Sequence, residues 1–183
     1  MTKSKTKYVI LGLLSEDTLT GYEIKKIVDI RFGFFWNESY GQLYPELKRL
    51  ALQELILASK PKEGSQRGKI RYSITQKGII ALEIWLTEPV EKETVRLEIL
   101  LKMYFSNGMK PEVMKQHIAE FSISHQKQLD VLNMFQQQLS SIKALHSNHG
   151  DILRVIDFGQ KVYKAYIDWC EETTIYLESR DEE

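Results

Sequence analysis

The segment that decides the fold reads Ser39-Tyr40-Gly41-Gln42-Leu43-Tyr44-Pro45-Glu46-Leu47-Lys48-Arg49-Leu50. Its leucines recur every three or four residues, which is the spacing of a helix with one apolar face. The chain continues through Ile56–Lys60 and a tip with two glycines into Lys69–Ile74, where apolar and polar residues alternate. A helix followed directly by a two-stranded basic hairpin is the pattern of a winged helix.

This helix is predicted to extend to Glu54. Pro45 lacks a backbone N–H, so we expect it only in the first turn, which puts the start of the helix between Tyr40 and Tyr44. The side chains predicted to face the core are Leu43, Leu47 and Leu50.

The hairpin is predicted to bury one face, because its second strand alternates with a period of two. The inward-facing residues of that strand are predicted to be Ile70, Tyr72 and Ile74. Thr75 can cap a fourth helix, which Pro89 ends. Residues 87–95 then form the expected domain boundary.

Ahead of the central helix, the sequence predicts two shorter helices. The first covers Lys5–Ser15, and Asp17–Leu19 is expected to be a turn. Thr20 and Glu23 have the spacing of a capping box, so the second helix should begin there. We expect it to end near Gly33, where a left-handed residue is easily accommodated.

Beyond the boundary, the sequence predicts only helices. A short helix covers Arg96–Phe105, a long one begins at Pro111, and a last one follows a turn at residues 146–150 and is capped by Asp151. Both long helices carry an apolar stripe. The stripe positions are Ile118, Phe121, His125, Leu129, Leu132, Phe135, Leu139 and Ile142 in one helix and Val155, Phe158, Val162, Tyr166, Trp169, Thr173 and Tyr176 in the other.

Two helices with one stripe each cannot fully bury those stripes alone, so a second copy of the chain is the simplest partner. The chain is therefore predicted to be a homodimer. The residues predicted to form the dimer contact are Phe121, Leu129, Leu132, Val162, Tyr166 and Trp169.

Composition favours a globular protein of the cytoplasm. Among the 183 residues there is one cysteine, Cys170, so no internal disulfide framework is possible. No apolar run approaches the roughly 20 residues of a membrane span, and the basic start lacks a signal-peptide cleavage site. The net charge is zero, but residues 1–88 carry 14 basic and 10 acidic residues, whereas residues 89–183 carry 11 and 15. The front half is therefore the half expected to meet a polyanion.

The winged helix suggests specific contacts with duplex DNA. Gln42 can pair with adenine through two hydrogen bonds, and the free backbone N–H groups near Thr20 can hold a phosphate. The other phosphate contacts are predicted to come from basic side chains. These are Lys48, Lys60, Arg67, Lys69 and Arg71. An exposed basic hairpin is also a common way to protect a strand edge, so the prediction rests on the combination of elements.

Other candidate sites are weaker. The four histidines lack a completing ligand set, so no metal site and no cofactor are predicted. Cys170 beside Trp169 is expected in the core or an interface. Aromatic residues that can line a pocket for a small-molecule effector are Trp85, Phe105 and Tyr163. We find no arrangement of residues that suggests an enzyme.

Taken together, these segments make the sequence resemble the PadR transcriptional regulators. The segments that carry the resemblance are Tyr8–Leu14, Thr20–Ile24, Leu43–Leu50 and Arg71–Gly78. Leu100–Phe105 and Tyr163–Trp169 are similar to the helical C-terminal domain of the longer, AphA-related members. Nearly the whole chain is covered. One departure is Gly41-Gln42, which stands where members usually have Gly-Ser or Gly-Thr.

The resemblance implies a mainly α protein with a winged helix-turn-helix domain at residues 1–88 and an all-α dimerisation domain at residues 89–183. It implies a homodimeric repressor on a pseudo-palindromic operator, sometimes released by small phenolic ligands. The positions that match DNA contacts are Tyr22, Ser39, Tyr40, Gln42, Tyr44, Lys48, Arg67 and Lys69. The alternatives are a dimeric ligand-sensing or interaction module without DNA binding, and a small helical enzyme.

Overall fold

The computed structural model describes residues 5–59, 69–141 and 148–180. Two compact units make up the chain, residues 1–92 and 93–183. The described elements of the first unit are α1 (Thr6–Glu16), β1 (Leu19–Thr20), α2 (Gly21–Ile27), a π-helical turn (Val28–Phe32), α3 (Tyr40–Leu52), β2 (Ile56–Ser59), β3 (Arg71–Ile74) and α4 (Gln76–Thr87). Those of the second are α5 (Glu98–Tyr104), α6 (Pro111–Ser141) and α7 (His149–Arg180).

The core of the first unit lies between α1, α2, α3 and the sheet. Ile10 and Leu11 of α1 and Ile24 of α2 are fully buried there. The three leucines predicted to face inward from α3 join the same cluster, which confirms that part of the helical pattern. They are Leu43, Leu47 and Leu50. Burial of apolar surface on one side of α3 leaves its other side facing outward.

The sheet has three antiparallel strands in the order β1-β3-β2. Leu19 pairs with Tyr72, and Ile56 pairs with Ile74. The prediction of a turn at Asp17–Leu19 was therefore wrong at its last residue, because β3 offers a free edge to which a short strand can bond. The predicted burial of Ile70 was also wrong. It precedes β3 and is exposed.

The second helix ends near Gly33 as predicted, but in a different conformation. Regular α-helix stops at Ile27 and continues as the wider turn Val28–Phe32. Gly33 follows with φ −54°, so the expected left-handed conformation is wrong. A side chain on Gly33 would instead collide with the carbonyl oxygen of Asp29. Glycine therefore suits this position through close approach of the backbone.

Pro45 lies inside α3, one turn further along than expected. The helix begins at Tyr40, within the predicted range, but Pro45 is already in its second turn. The missing N–H of Pro45 leaves the carbonyl of Gly41 without its usual partner four residues on. Gly41 is exposed, so water can satisfy that carbonyl. The helix thus accommodates the proline at its solvent-facing side.

The fourth helix begins and ends as predicted. The hydroxyl of Thr75 accepts from the backbone N–H of Gly78 at 3.1 Å and also lies 2.8 Å from the carbonyl oxygen of Glu54. This cap ties α4 to the segment that precedes β2. The helix ends at Thr87, two residues ahead of Pro89.

In the second unit, α6 and α7 pack side by side in opposite directions. Phe121 of α6 meets Trp169 of α7, whereas Asn133 meets Gln160. Ile118 is fully buried in this packing. The predicted stripe of α6 is confirmed among the described residues, while Ile142 lies outside them.

The stripe predicted for α7 was displaced by one residue from most of the buried positions. The buried residues of α7 that face the chain's own core include Ile156, Tyr163, Ile167, Cys170 and Leu177. Of the predicted stripe, Thr173 is buried, Val162, Tyr166 and Trp169 are half-buried, and Val155, Phe158 and Tyr176 are exposed. Helix α7 has two adjacent apolar faces, and periodicity alone fits either. The helix also begins at His149, ahead of the predicted cap at Asp151.

None of the helices in the described ranges is both long enough and apolar enough to cross a membrane.

Candidate nucleic-acid interface

The start of α2 meets the middle of α3 at Gly21. A Cβ atom at Gly21 would lie 2.9 Å from Cε1 of Tyr44 and 3.2 Å from Cδ1 of Leu47. Only a residue without a side chain allows this approach. The contact places Tyr44, the N-terminus of α2 and the N-terminal half of α3 on one continuous surface.

Helix α2 begins with the predicted capping box. The backbone N–H of Thr20 donates to Oε2 of Glu23 at 2.7 Å, and the N–H of Glu23 donates to the Thr20 hydroxyl at 3.2 Å. These bonds to Thr20 are the main reason that the pKa of Glu23 lies below its ordinary value, and Arg71 and Lys69 lower it further. Because two donors are satisfied internally, the remaining N–H groups of the first turn are those available to an anion.

A second capping box, which was not predicted, begins α3. The N–H of Gln42 donates to the Ser39 hydroxyl at 3.3 Å, and the N–H of Ser39 donates to Oε1 of Gln42 at 2.9 Å. The Ser-x-x-Gln spacing is the signal that identifies such a cap. The same two residues had been assigned only to DNA contact.

Three tyrosines form the exposed aromatic part of this surface. Tyr22, Tyr40 and Tyr44 are 52%, 48% and 41% exposed. The rings of Tyr40 and Tyr44 stack with centroids 6.0 Å apart. The ammonium groups of Lys25 and Lys69 each lie 5.3 Å from a ring centroid, over Tyr40 and Tyr22 respectively. These contacts orient long cationic side chains along the surface.

The basic side chains predicted to bind phosphate differ in whether other protein groups already engage them. Lys48 is exposed, and no ion-pair partner for it exists in the described part of the chain. Arg71 instead donates to the carbonyl oxygen of Thr18 and lies 3.9 Å from Oε2 of Glu23. Arg71 therefore ties β3 to the start of α2. Lys60 and Arg67 lie outside the described residues.

The loop leading into α3 contains a buried carboxylate that sequence patterns did not reveal. Glu38 is 2% exposed, and its Oε1 accepts from Nε1 of Trp36 at 2.8 Å. Oε2 of Glu38 has no hydrogen-bond partner in the described ranges. This contact anchors the chain immediately ahead of the Ser39 cap.

The three aromatic residues considered for an effector pocket have different surroundings. Trp85 stacks on Tyr8, with centroids 4.5 Å apart and planes within 8°. Phe105 is exposed and packs edge-on against Tyr104. Tyr163 is buried, and this burial together with nearby Tyr166 raises the pKa of its hydroxyl.

The structure also places the predicted dimer contacts. Leu132 is buried within its own chain, so it is not available to a partner. The others are half-buried. They are Phe121, Leu129, Val162, Tyr166 and Trp169.

Cys170 is buried as expected, and this burial raises the pKa of its thiol. No cluster of three metal-ligating side chains occurs in residues 5–59, 69–141 and 148–180.

Comparison with known proteins identifies both halves of the chain. Residues 10–84 match the transcriptional regulator PadR-like family, and residues 95–178 match the virulence activator alpha C-terminal family. The negative transcriptional regulator PadR of Bacillus subtilis is 29% identical over 170 residues, which cover 90% of this chain and 93% of that protein.

Solved structures agree with this similarity. Bacillus subtilis PadR in complex with operator DNA has a TM-score of 0.82 at 26% identity, covering 96% of this chain and 99% of the other. The same protein in complex with p-coumaric acid has a TM-score of 0.72 at 25% identity with the same coverage. The Vibrio cholerae virulence activator AphA has a TM-score of 0.73 at 27% identity, again covering 96% and 99%. The predicted mainly helical fold with a winged helix is thereby confirmed.

Proposed function

Because the chain belongs to the PadR-like family of transcriptional regulators and carries an AphA-like C-terminal half, we propose that it is a homodimeric repressor that binds operator DNA. The observation that carries this proposal is the surface formed where α2 and α3 meet. It combines two capped helix N-termini with exposed tyrosines and a lysine. The similarity to operator-bound PadR supports it.

In this mode of binding, α3 enters the major groove with its N-terminal half toward the bases. Tyr40 and Tyr44 supply hydroxyl groups and ring faces, and Lys48 lies one turn further on to meet a phosphate. Tyr22 and the first N–H groups of α2 hold another phosphate. The wing is the hairpin formed by β2, β3 and the segment between them in the sequence. Its Lys69 and the predicted contacts Lys60 and Arg67 are proposed to bind the DNA backbone. We assign Arg71 and Thr20 mainly to holding this surface together.

The second unit provides the dimer contact in this proposal. Helix α7 has an exposed apolar face that includes Val155, Phe158 and Tyr176, next to the half-buried Tyr166 and Trp169. A row of exposed apolar side chains along one helix face favours association with another protein surface. Two copies would supply two winged helices, which suits a pseudo-palindromic operator whose half-sites usually lie about 34 Å apart.

A small phenolic acid is the proposed signal that releases the protein from DNA. The support is the complex of Bacillus subtilis PadR with p-coumaric acid. Phe105 and Tyr163 of the second unit remain predicted contacts, whereas Trp85 belongs to the first unit and stacks on Tyr8. In this role the chain is a regulator and not an enzyme, needs no cofactor, and acts in the cytoplasm.

The proposed DNA surface can be tested with the duplex that lies upstream of the chain's own gene. We expect the wild-type protein to shift this duplex in a gel, and Tyr44→Ala with Lys48→Ala to abolish the shift while the dimer mass is retained. Lys102→Ala is the matched control, because it removes a positive charge from the other unit. Equal binding by wild type and the double variant would contradict the assignment of this surface.

The proposed effector can be tested on the same duplex. We expect p-coumaric acid to reverse the gel shift, and cinnamic acid, which lacks the phenolic hydroxyl, to act more weakly. A shift that persists at saturating p-coumaric acid would contradict the proposed release.

A further inference from the structure

The side chain of Gln42 is already engaged by the cap of its own helix. Its Oε1 accepts from the backbone N–H of Ser39 and from the Ser39 hydroxyl, each at 2.9 Å. The Ser39 hydroxyl in turn accepts from the backbone N–H of Gln42. Both donors of Ser39 and the acceptor of Gln42 are therefore used within the protein.

This arrangement fixes which end of the amide faces outward. A backbone N–H can only donate, so the atom that it meets must be the carbonyl oxygen of Gln42 and not its amide nitrogen. The Nε2 group of Gln42 consequently lies away from the cap. Gln42 is exposed, and no partner for Nε2 is found among the described residues. It presents two donors and no free acceptor.

A donor-only side chain cannot read adenine in the usual way. That contact requires an oxygen that accepts from N6 and a nitrogen that donates to N7. Guanine instead presents two acceptors in the major groove, O6 and N7. We propose that Gln42, held by Ser39, selects a G·C pair at its operator position. The proposal rests on the proposed DNA-binding function and specifies how that surface reads sequence.

The geometry also gives Ser39 a role. Ser39 sets the specificity by holding Oε1 and does not itself contact a base. Releasing Oε1 would restore the acceptor that adenine requires, so loss of the Ser39 donors should move the preference toward an A·T pair. Proline at residue 39 lacks both the N–H and the hydroxyl, and φ there is −82°, close to the value that proline adopts.

The experiment begins with duplexes that contain a random core. Wild-type protein selects from this pool, and the enriched motif is then compared with that selected by Gln42→Ala. The position that loses its preference in Gln42→Ala is the one that Gln42 reads. Four duplexes that differ only at this position are then titrated by fluorescence anisotropy. We expect wild type to prefer the G·C duplex over the A·T duplex about tenfold.

Gln42→Ala should bind the four duplexes equally, and Ser39→Pro should shift the preference toward A·T. Circular dichroism melting shows whether Ser39→Pro folds, and Gln42→Ala decides the question if it does not. A wild-type preference for A·T, or discrimination that is unchanged in Gln42→Ala, would overturn the role of Gln42. If wild type enriches no motif at all, the proposed DNA-binding function fails together with this inference.

Discussion

The ring of Tyr44 packs directly against the backbone of Gly21, with Cε1 of the ring 2.9 Å from the place that a Cβ atom would occupy. This relationship couples the start of α2 to the outward face of α3. The candidate DNA surface therefore depends on a residue that carries no functional group. The shape of this surface is set by the close packing at Gly21 as well as by the exposed side chains.

Replacement of Gly21 by alanine should displace the Tyr44 ring. Overpacking of this kind costs about 1–3 kcal/mol, which is partly offset because alanine favours helix more than glycine does. We expect a small loss of stability in urea denaturation and a larger loss of affinity for the upstream duplex.

Gly12→Ala is the matched control. Nothing lies within 4 Å of a Cβ atom at Gly12, in the middle of α1. Alanine there should stabilise the protein by about 0.5–1 kcal/mol and leave DNA affinity unchanged. Equal DNA affinities for Gly21→Ala and Gly12→Ala would show that the contact with Tyr44 does not shape the interface.

The stack of Trp85 on Tyr8 should stabilise the first unit by joining α4 to α1. An aromatic pair of this type contributes about 0.5–1.5 kcal/mol beyond the area it buries. We expect Trp85→Ala to lower the free energy of unfolding by about 2–3 kcal/mol, since Trp85 is only half-buried. Trp85→Phe should retain most of the stability. If both variants unfold at the same urea concentration, stacking is not the source of the effect.

The capping carboxylate of Glu23 should make stability depend on pH in the acid range. The pKa of Glu23 is lowered in the folded protein, chiefly by the hydrogen bonds from Thr20. Its contribution to the free energy of unfolding is therefore complete above the pKa of an unfolded glutamate, which is about 4.3. That contribution is lost as the pH falls through the folded pKa.

The melting temperatures of Glu23→Gln and wild type should differ at pH 7, and this difference should shrink as the pH falls through the folded pKa of Glu23. Glu83→Gln on the exposed side of α4 is the control, with no hydrogen bond in the described part of the chain. A difference between Glu23→Gln and wild type that stays constant down to pH 3 would contradict the assigned role.

The exposed apolar face of α7 should be the surface that holds the dimer together. Phe158 is 62% exposed in the single chain. An aspartate at this position would bury an unpaired charge in the interface, so Phe158→Asp should shift the mass toward the 21.4 kDa monomer. Lys164→Asp introduces the same residue on another side of α7 and should remain dimeric. Light scattering after gel filtration measures both, and a dimeric Phe158→Asp would rule out this face.

Features determined by neighbouring residues could be predicted from the sequence. The Thr20 capping box, the inward leucines of α3 and the end of α4 near Pro89 all follow from short-range patterns. Strand β1 could not be found in this way, because two residues become a strand only through pairing with β3, about 50 residues later. The turn at Val28–Phe32 likewise has no simple local signal.

Helix α7 shows a different limit of prediction from the sequence. Its apolar residues cover two neighbouring faces, so a spacing of three and four matches both the stripe through Tyr163 and the stripe through Tyr166. Only packing against α6 decides which one is buried. At the candidate site, the sequence of Ser39 and Gln42 fits either a cap or a base contact. The hydrogen bonds show that Oε1 of Gln42 belongs to the cap, which leaves only its Nε2 group facing outward.

The central claim is that two copies bind a specific duplex through the surface of α2, α3 and the wing. The most direct measurement is the dissociation constant for the selected duplex and for a scrambled one at several salt concentrations. Two copies that each present Lys48 and Lys69 neutralise at least four phosphates, so affinity should fall on the order of 100-fold between about 50 and about 200 mM salt. The scrambled duplex should bind far more weakly throughout. Equal affinity for both duplexes, with no dependence on salt, would contradict the claim.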